Sequence, residues 1–314
     1  MEFWNTTLEN SFFLMGILQD SQYPGLVCAI ITFFYLVAVS SNGLLLLLIA
    51  VDRRLHVPMY FLLSQLSLMD LLLTTVISPK TFVDYLHGQS MISFSGCGVQ
   101  MFLLLTIGGA EDILLAFMAY DRYVAIRHPL TYMVIMRPKV CWSMVATYWL
   151  LASLNSLMHT IYTMHFPFCR SREISHLLCE IPPLLKLACA DTTKYQFMVY
   201  TMGVAFLLTP LSVILVSYVL VLTAVLHMPS RHGTQKALLT CSSHLTVVGL
   251  YYGPATFMYV LPSAYHRPKQ DNILSVLYTI ITPALNPLIY SLRNKDVVGA
   301  LKKLLGKGTS VPKL

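Results

Sequence analysis

Met118-Ala-Tyr-Asp-Arg-Tyr-Val-Ala-Ile-Arg-His-Pro-Leu130 sets an acid beside a guanidinium, Asp121 then Arg122, at the end of a long apolar helical stretch. Arg127, His128 and Pro129 then stop the helix. At a membrane face such a pair can stay closed on itself or release the arginine to a partner. Taken alone it reads as an interfacial anchor, because long cationic side chains snorkel at helix ends. The sequence around it decides between the two.

The chain of 314 residues is 56% hydrophobic and 11% charged, with mean hydropathy +0.66. A soluble domain carries roughly 25% charged residues, so the solvent for this surface is lipid. Gly25 to Val51 holds no charge and exceeds the ~20 residues that cross a bilayer. Further spans are expected at about Pro58–Pro79 with Asp70, Cys97–Ile126 with Glu111 and Asp112, Val140–Met164, Tyr195–Leu226, Ala237–Leu261 with His244, and Asn272–Leu292. The expectation is an all-α membrane protein, a seven-transmembrane helix bundle at 25–292, between a tail at 1–24 and a cytoplasmic segment at 293–314. With no basic leader ahead of the first span, that span acts as its own insertion signal.

Cations set the orientation. With the amino terminus outside, fourteen of the 21 Lys and Arg face the cytoplasm, among them Arg53, Arg54, Arg137, Lys139, Lys302 and Lys303. The net charge of +7 is then an inner-face property, matched to anionic lipid and not to nucleic acid. Asn5-Thr-Thr7 is an extracellular glycosylation sequon on that topology. Cys97, Cys169, Cys179 and Cys189 fall on the oxidising outer side, where three pairings are open to four thiols. Their spacing lacks the short ligand pairs of structural zinc.

Two acids lie near mid-bilayer at similar depth. Asp70 is ~18 Å from Pro58, and Glu111 is ~16 Å from Arg122 at the same face. Carboxylates at one depth repel unless a shared cation, sodium for instance, or a proton neutralises them. Asp112 projects about 100° from Glu111 around the helix and need not share that site. In the last span Pro287 frees a carbonyl, Asn286 can bond across helices, and Tyr290 follows about one turn later. Val297 to Leu305 then reads as a short amphipathic helix on the inner face.

Asp121-Arg122-Tyr123 and Asn286-Pro-Leu-Ile-Tyr290 in a seven-span chain resemble the rhodopsin-like G-protein-coupled receptors. Longer strings narrow the resemblance to the olfactory receptors, tetrapod (class II) branch. They are Leu55-His-Val-Pro-Met-Tyr-Phe-Leu-Leu-Ser64, Met118 to Ile126, Lys236-Ala-Leu-Leu-Thr-Cys-Ser-Ser-His-Leu245 and Pro283 to Val297. The resemblance implies an odorant receptor coupled to a stimulatory G protein that raises cyclic AMP in sensory cilia. It implies the disulfides Cys97–Cys179 and Cys169–Cys189, and a mid-membrane polar centre of Asp70, Glu111 and Asn286. It assigns the switch to Asp121, Arg122, Tyr123, Tyr218, His244, Asn286, Pro287 and Tyr290. Arg127 stands where family members usually have Cys, and Leu238-Leu239 where they have Phe-Ser.

Other classes fit less well. The last span has no lysine for a retinal Schiff base, no internal repeat suggests a transporter, and His159 and His244 lack the partners of a catalytic site. No cofactor is called for beyond the sodium or proton at Asp70 and Glu111. The resemblance places ligand contacts at Leu104, Leu105, Gly108, Gly109, Met202, Phe206, Tyr252, Ala255, Thr256, Tyr259 and Tyr278, an apolar set with a few hydroxyls that suits a small ligand. Val99 to Ala110 contains no acid and Glu111 sits deeper, so neutral volatiles are expected and ammonium ligands are not.

Overall fold

The computed structural model describes residues 11–17, 21–169, 171–227, 231–260, 267–292 and 294–306. The Asn5 sequon lies outside the described residues, as do Arg170, Arg293, Lys307 and Lys313.

Seven long helices run through the described chain: Pro24–Val51, Pro58–His87, Phe94–Arg127, Pro138–Met164, Thr193–Leu226, Arg231–Val260 and a seventh from Pro268 to Leu292. Six are long and apolar enough to cross a membrane. The sixth span, 30 residues long, is less apolar because its inner end begins Arg231-His-Gly-Thr-Gln-Lys236. Four of the helices open on proline, Pro24, Pro58, Pro138 and Pro268, where the missing N–H costs nothing. Large apolar side chains such as Leu26, Phe33, Leu150, Leu154 and Val219 are exposed on the outside of the bundle. In water that would be a liability; against acyl chains it is the correct face.

The second span does not end at Pro79. Its helix continues to His87 and stops at Gly88, whose φ of 68° is left-handed. A proline inside a membrane helix is tolerated when neighbours satisfy the carbonyl it frees. The first residues are more than a tail, too. Ser11–Leu14 forms β1, pairing antiparallel with β2 (Met91–Ser93) and parallel with β3 (Glu173–Ile174). This small sheet covers the outer end over a cluster containing Phe12, Ile92, Met101, Ile174 and Leu184. Cys97 is joined to Cys179 and Cys169 to Cys189, with Cα atoms 5.4 and 5.8 Å apart. The first bridge ties the start of the third span to the second outer loop.

The seventh span is built in three segments, Pro268–Val276, a π-helical turn at Leu277–Ile281, and Thr282–Leu292. Beyond it Lys295–Leu304 forms the amphipathic helix, capped by the Asn294 side chain, which accepts from the N–H groups of Asp296 and Val297.

Pro287 explains a contact between the first and last spans. Lacking an N–H, it leaves the Pro283 carbonyl, one turn back, without its helical donor. Asn42 supplies the donor: its Nδ2 reaches the Pro283 carbonyl at 3.0 Å from a fully buried position. Asn42→Leu is expected to destabilise the purified protein by about 1–3 kcal/mol, the cost of a buried polar group left unpaired. Adding Pro287→Ala restores an N–H and should recover part of that loss. Thermal unfolding in detergent checks both; an unchanged midpoint in the single variant would contradict the account.

Candidate functional site

In the outer half of the bundle the second to seventh spans and the second outer loop line a cavity of about 170 Å³. An apolar cavity of about 150 Å³ holds a benzene molecule. Of the expected contacts, Leu104, Leu105, Gly108, Gly109, Met202, Phe206, Ala255 and Tyr278 line it. Tyr252 and Thr256 do not, and the Tyr259 side chain lies outside the described residues. Tyr251 takes the place expected for Tyr252. It lines the cavity and donates its hydroxyl to the Gly108 carbonyl at 2.7 Å. Tyr252 is buried one position round the helix, with its hydroxyl 3.4 Å from the Asp112 carbonyl. Sequence cannot tell such neighbours apart, because the rotation of the sixth span is set by its packing.

The two glycines differ in their surroundings. A Cβ on Gly109 would meet Phe206 at 3.3 Å and Ala152 at 3.5 Å, so Gly109 lets the third, fourth and fifth spans approach. A Cβ on Gly108 would meet only the Tyr251 hydroxyl, at 4.0 Å. Gly108 therefore borders open space.

The polar lining departs from expectation. Glu111, Asp112 and Glu180 all border the cavity, and among the described residues no Lys or Arg does. Asp112, expected to point elsewhere, is included because the cavity wraps the third span between the fourth and the sixth. The premise that no acid faces the ligand is thus overturned. The fourth span adds Asn155 and His159, four residues apart on one helical face. That spacing of two polar residues in an apolar span was the signal that could have found them. The His159 Nδ1 lies 3.2 Å from the Tyr195 hydroxyl, which also reaches Thr163 at 2.8 Å. At the outer end Tyr278, in the π turn, donates to Glu180 at 2.6 Å.

Below the cavity lies a chain of buried polar residues. Asn286 Nδ2 donates to both oxygens of Asp70, at 3.1 and 3.3 Å. Glu111 lies within electrostatic reach of Asp70. Asn286 Oδ1 and the Tyr290 hydroxyl are buried without a hydrogen-bond partner among the described residues. Further in, the Tyr218 hydroxyl stands 2.7 Å from His244 Nδ1. Tyr218, His244 and Tyr290, on the fifth, sixth and seventh spans, all lie within electrostatic reach of the Arg122 guanidinium. Tyr123 packs on Val221, Val225 and Cys241.

Asp121 and Arg122 form no salt bridge among the described residues. Asp121 instead accepts the Tyr132 hydroxyl at 2.7 Å, and that hydroxyl accepts the Met59 N–H at 3.2 Å. Burial, with the Asp121 carboxyl adding to it, pushes the Tyr132 phenol up, so it stays protonated and donates. Arg122 is 4% exposed and its Nε has no hydrogen-bond partner among the described residues. Sequence reading missed the next loop: Leu130 is 98% exposed, with Met133 and Val134 exposed beside it.

The family profile described as "Olfactory receptor" matches residues 31–307. The chain is 66% identical to human olfactory receptor 2AG1 over 98% of its own length and 97% of that protein's. It is 65% identical to human olfactory receptor 2AG2 over the same shares of the two chains. Human olfactory receptor 2T1 is 53% identical over 98% of this chain and 83% of its own.

Because the space beside Gly108 is open, Gly108→Phe should fill the cavity while leaving the bundle intact. The expected result is normal surface display with the ligand response lost or shifted at least about tenfold, read as dose response against surface labelling. An unchanged dose response would place the ligand elsewhere.

Proposed function

The chain belongs to the olfactory receptor family, and we propose that it binds small, mostly neutral odorants in the outer cavity and activates a stimulatory heterotrimeric G protein, raising cyclic AMP. It is a multi-pass plasma-membrane signalling receptor and not an enzyme; sensory cilia are the proposed place of work.

One observation carries the reading. An apolar cavity opens on the outer side of the same bundle whose inner end holds Arg122, buried and unpaired at Nε. Between them run Glu111, Asp70, Asn286, Tyr290 and the Tyr218–His244 pair. A ligand that favours one packing of the third, sixth and seventh spans biases the position of Arg122, because packed interfaces have discrete arrangements. The partner surface has two parts. Arg122 offers a charge-assisted donor to a carbonyl or carboxylate. Leu130, with Met133 and Val134, offers an apolar knob that finds no core within the receptor and suits a hydrophobic pocket. Exposed Arg127 adds a cation at that face.

Asp70 and Glu111 need a neutralising species for both to be buried. The donor set fits a hard monovalent cation, since Asn286 Oδ1 is a third oxygen without a partner; a shared proton serves the same end. We place sodium or a proton there, with Asp70, Glu111 and Asn286 as the groups that hold it. Bound at that point, it would tie the second, third and seventh spans in one arrangement.

Arg122→Ala and Leu130→Asp should each reach the cell surface yet lose nearly all agonist-driven cyclic AMP. Both act at the partner face, so agonist binding should survive in each. Wild-type signalling by Arg122→Ala at matched surface density would contradict the assignment.

A further inference from the structure

The inner half of the bundle carries a second concave surface, which shares no lining residue with the outer cavity. It is an open groove of about 400 Å³ between Phe117 of the third span and one face of the fourth. Arg137 and Lys139 stand at its inner mouth, with Val140 and Met144 half-buried along its floor. From Arg137 to Thr147, its deepest residue on the fourth span, the helical rise is roughly 15 Å. That is the depth of one leaflet, half of the ~30 Å hydrocarbon core. The groove thus runs from the cytoplasmic interface to about the midplane, where it ends.

The mouth of the groove carries charge of one sign. After Asp121 the chain has no acid until Glu173, in β3 at the outer end. Asp121 is 1% exposed and taken by Tyr132. Of the other acids near the inner face, Asp52 is engaged by Arg54 and Asp296 by Tyr60. Arg137 and Lys139 are exposed and form no salt bridge among the described residues. Arginine offers a planar fork and lysine a point charge, a pairing that suits a phosphate. Lys139, Ser143 and Thr147 follow at four-residue steps along one stripe of the helix. Thr147 turns its hydroxyl back to the Ser143 carbonyl at 2.8 Å. The exposed Ser143 hydroxyl lies one turn deeper than Lys139, at the level where a lipid bonded to that cation has its ester carbonyls.

We propose that this groove docks one anionic phospholipid of the inner leaflet, its phosphate on Arg137 and Lys139 and one acyl chain laid against Phe117, Val140 and Met144. Basic grooves between spans on the cytoplasmic side collect such headgroups. A sterol brings a single hydroxyl and leaves a cation unused, and a zwitterionic headgroup sets its own ammonium against the two. Arg137 also closes the inner loop that carries Leu130 and Tyr132, so the lipid sits against the segment that faces the partner protein. The proposal does not depend on what the outer cavity binds.

The test is native mass spectrometry of the full-length receptor, released from micelles doped with phosphatidylcholine and, in separate runs, phosphatidylserine or phosphatidylinositol bisphosphate. The wild type should retain one anionic lipid at least about tenfold over phosphatidylcholine, as two cations near a bilayer surface allow. Arg137→Gln with Lys139→Gln should remove that preference. Ser143→Trp, which fills the groove and keeps both cations, should remove it too. Lys302→Gln with Lys303→Gln takes the same charge from the amphipathic helix and should leave it unchanged. The two groove variants are independent, so either one decides if the other does not purify. Equal retention of all the lipids by the wild type overturns the proposal. So does a preference that survives in a groove variant, or one that is lost equally in the Lys302/Lys303 variant, since surface charge alone then accounts for it.

Discussion

Lipid offers no hydrogen bonds, so every polar group inside the bilayer must find a partner within the protein or go without. Most of the architecture follows from that constraint. The helices satisfy their own backbones. Where Pro287 breaks the pattern, Asn42 reaches across from the first span to the Pro283 carbonyl. Asn286 does the same for Asp70. These contacts tie the first, second and seventh spans together at mid-membrane. They leave a short set of buried atoms unsatisfied, among them Asn286 Oδ1, Tyr290 Oη, Asp112 Oδ1 and Arg122 Nε. In a water-soluble core such atoms would signal a poor fit. Of these four, Asp112 borders the cavity, and Asn286, Tyr290 and Arg122 lie along the polar chain that leads from it to the inner face, where an ion, a proton or a partner protein can complete them.

The two ends of the bundle are held differently. Outside, the Cys97–Cys179 bridge and the three-stranded sheet form a roof fixed by covalent and backbone links, with the Tyr278–Glu180 side-chain hydrogen bond added to them. Inside, the Tyr132–Asp121 and Tyr218–His244 hydrogen bonds hold the spans by single side-chain contacts. A rigid outer end keeps the cavity's shape, and a more loosely tied inner end can rearrange. Asp121 is occupied by Tyr132, so the guanidinium of Arg122 is not closed on its neighbour. The pair that reads in sequence as a self-contained lock is open: Asp121 is taken by Tyr132, and Arg122 has no salt bridge among the described residues.

Much of this was legible in the sequence. The spans announce themselves by length and by lack of charge, and the inner-face cations orient them. The polar depth of Asp70 and Glu111 follows from helical rise alone. Pairing of the outer cysteines was not legible from spacing; it came from the family resemblance, and the structure joins the same pairs. Rotations were not legible at all. Whether Tyr251 or Tyr252 faces the cavity, and whether Asp112 joins Glu111 there, depend on how the sixth and third spans pack. A hydrophobic pattern nearly uniform around each helix does not encode that choice. Asn155 and His159 could have been read from their spacing, but a lone histidine in a span is ordinarily a strut. The role of residues 11–14 was hidden for another reason. Their sheet is assembled from three segments far apart in the chain.

The central claim is that the outer cavity receives the ligand that drives the receptor. Gly203 lines that cavity, and a Cβ placed there meets nothing within 4 Å, so Gly203→Cys puts a thiol in the ligand's space without disturbing the packing. The rate at which a small thiol reagent labels that cysteine, with and without agonist, is the most direct measurement. Saturating agonist should slow labelling strongly, and completed labelling should abolish the cyclic AMP response. A labelling rate unaffected by agonist, in a variant that still responds to it, would contradict the account.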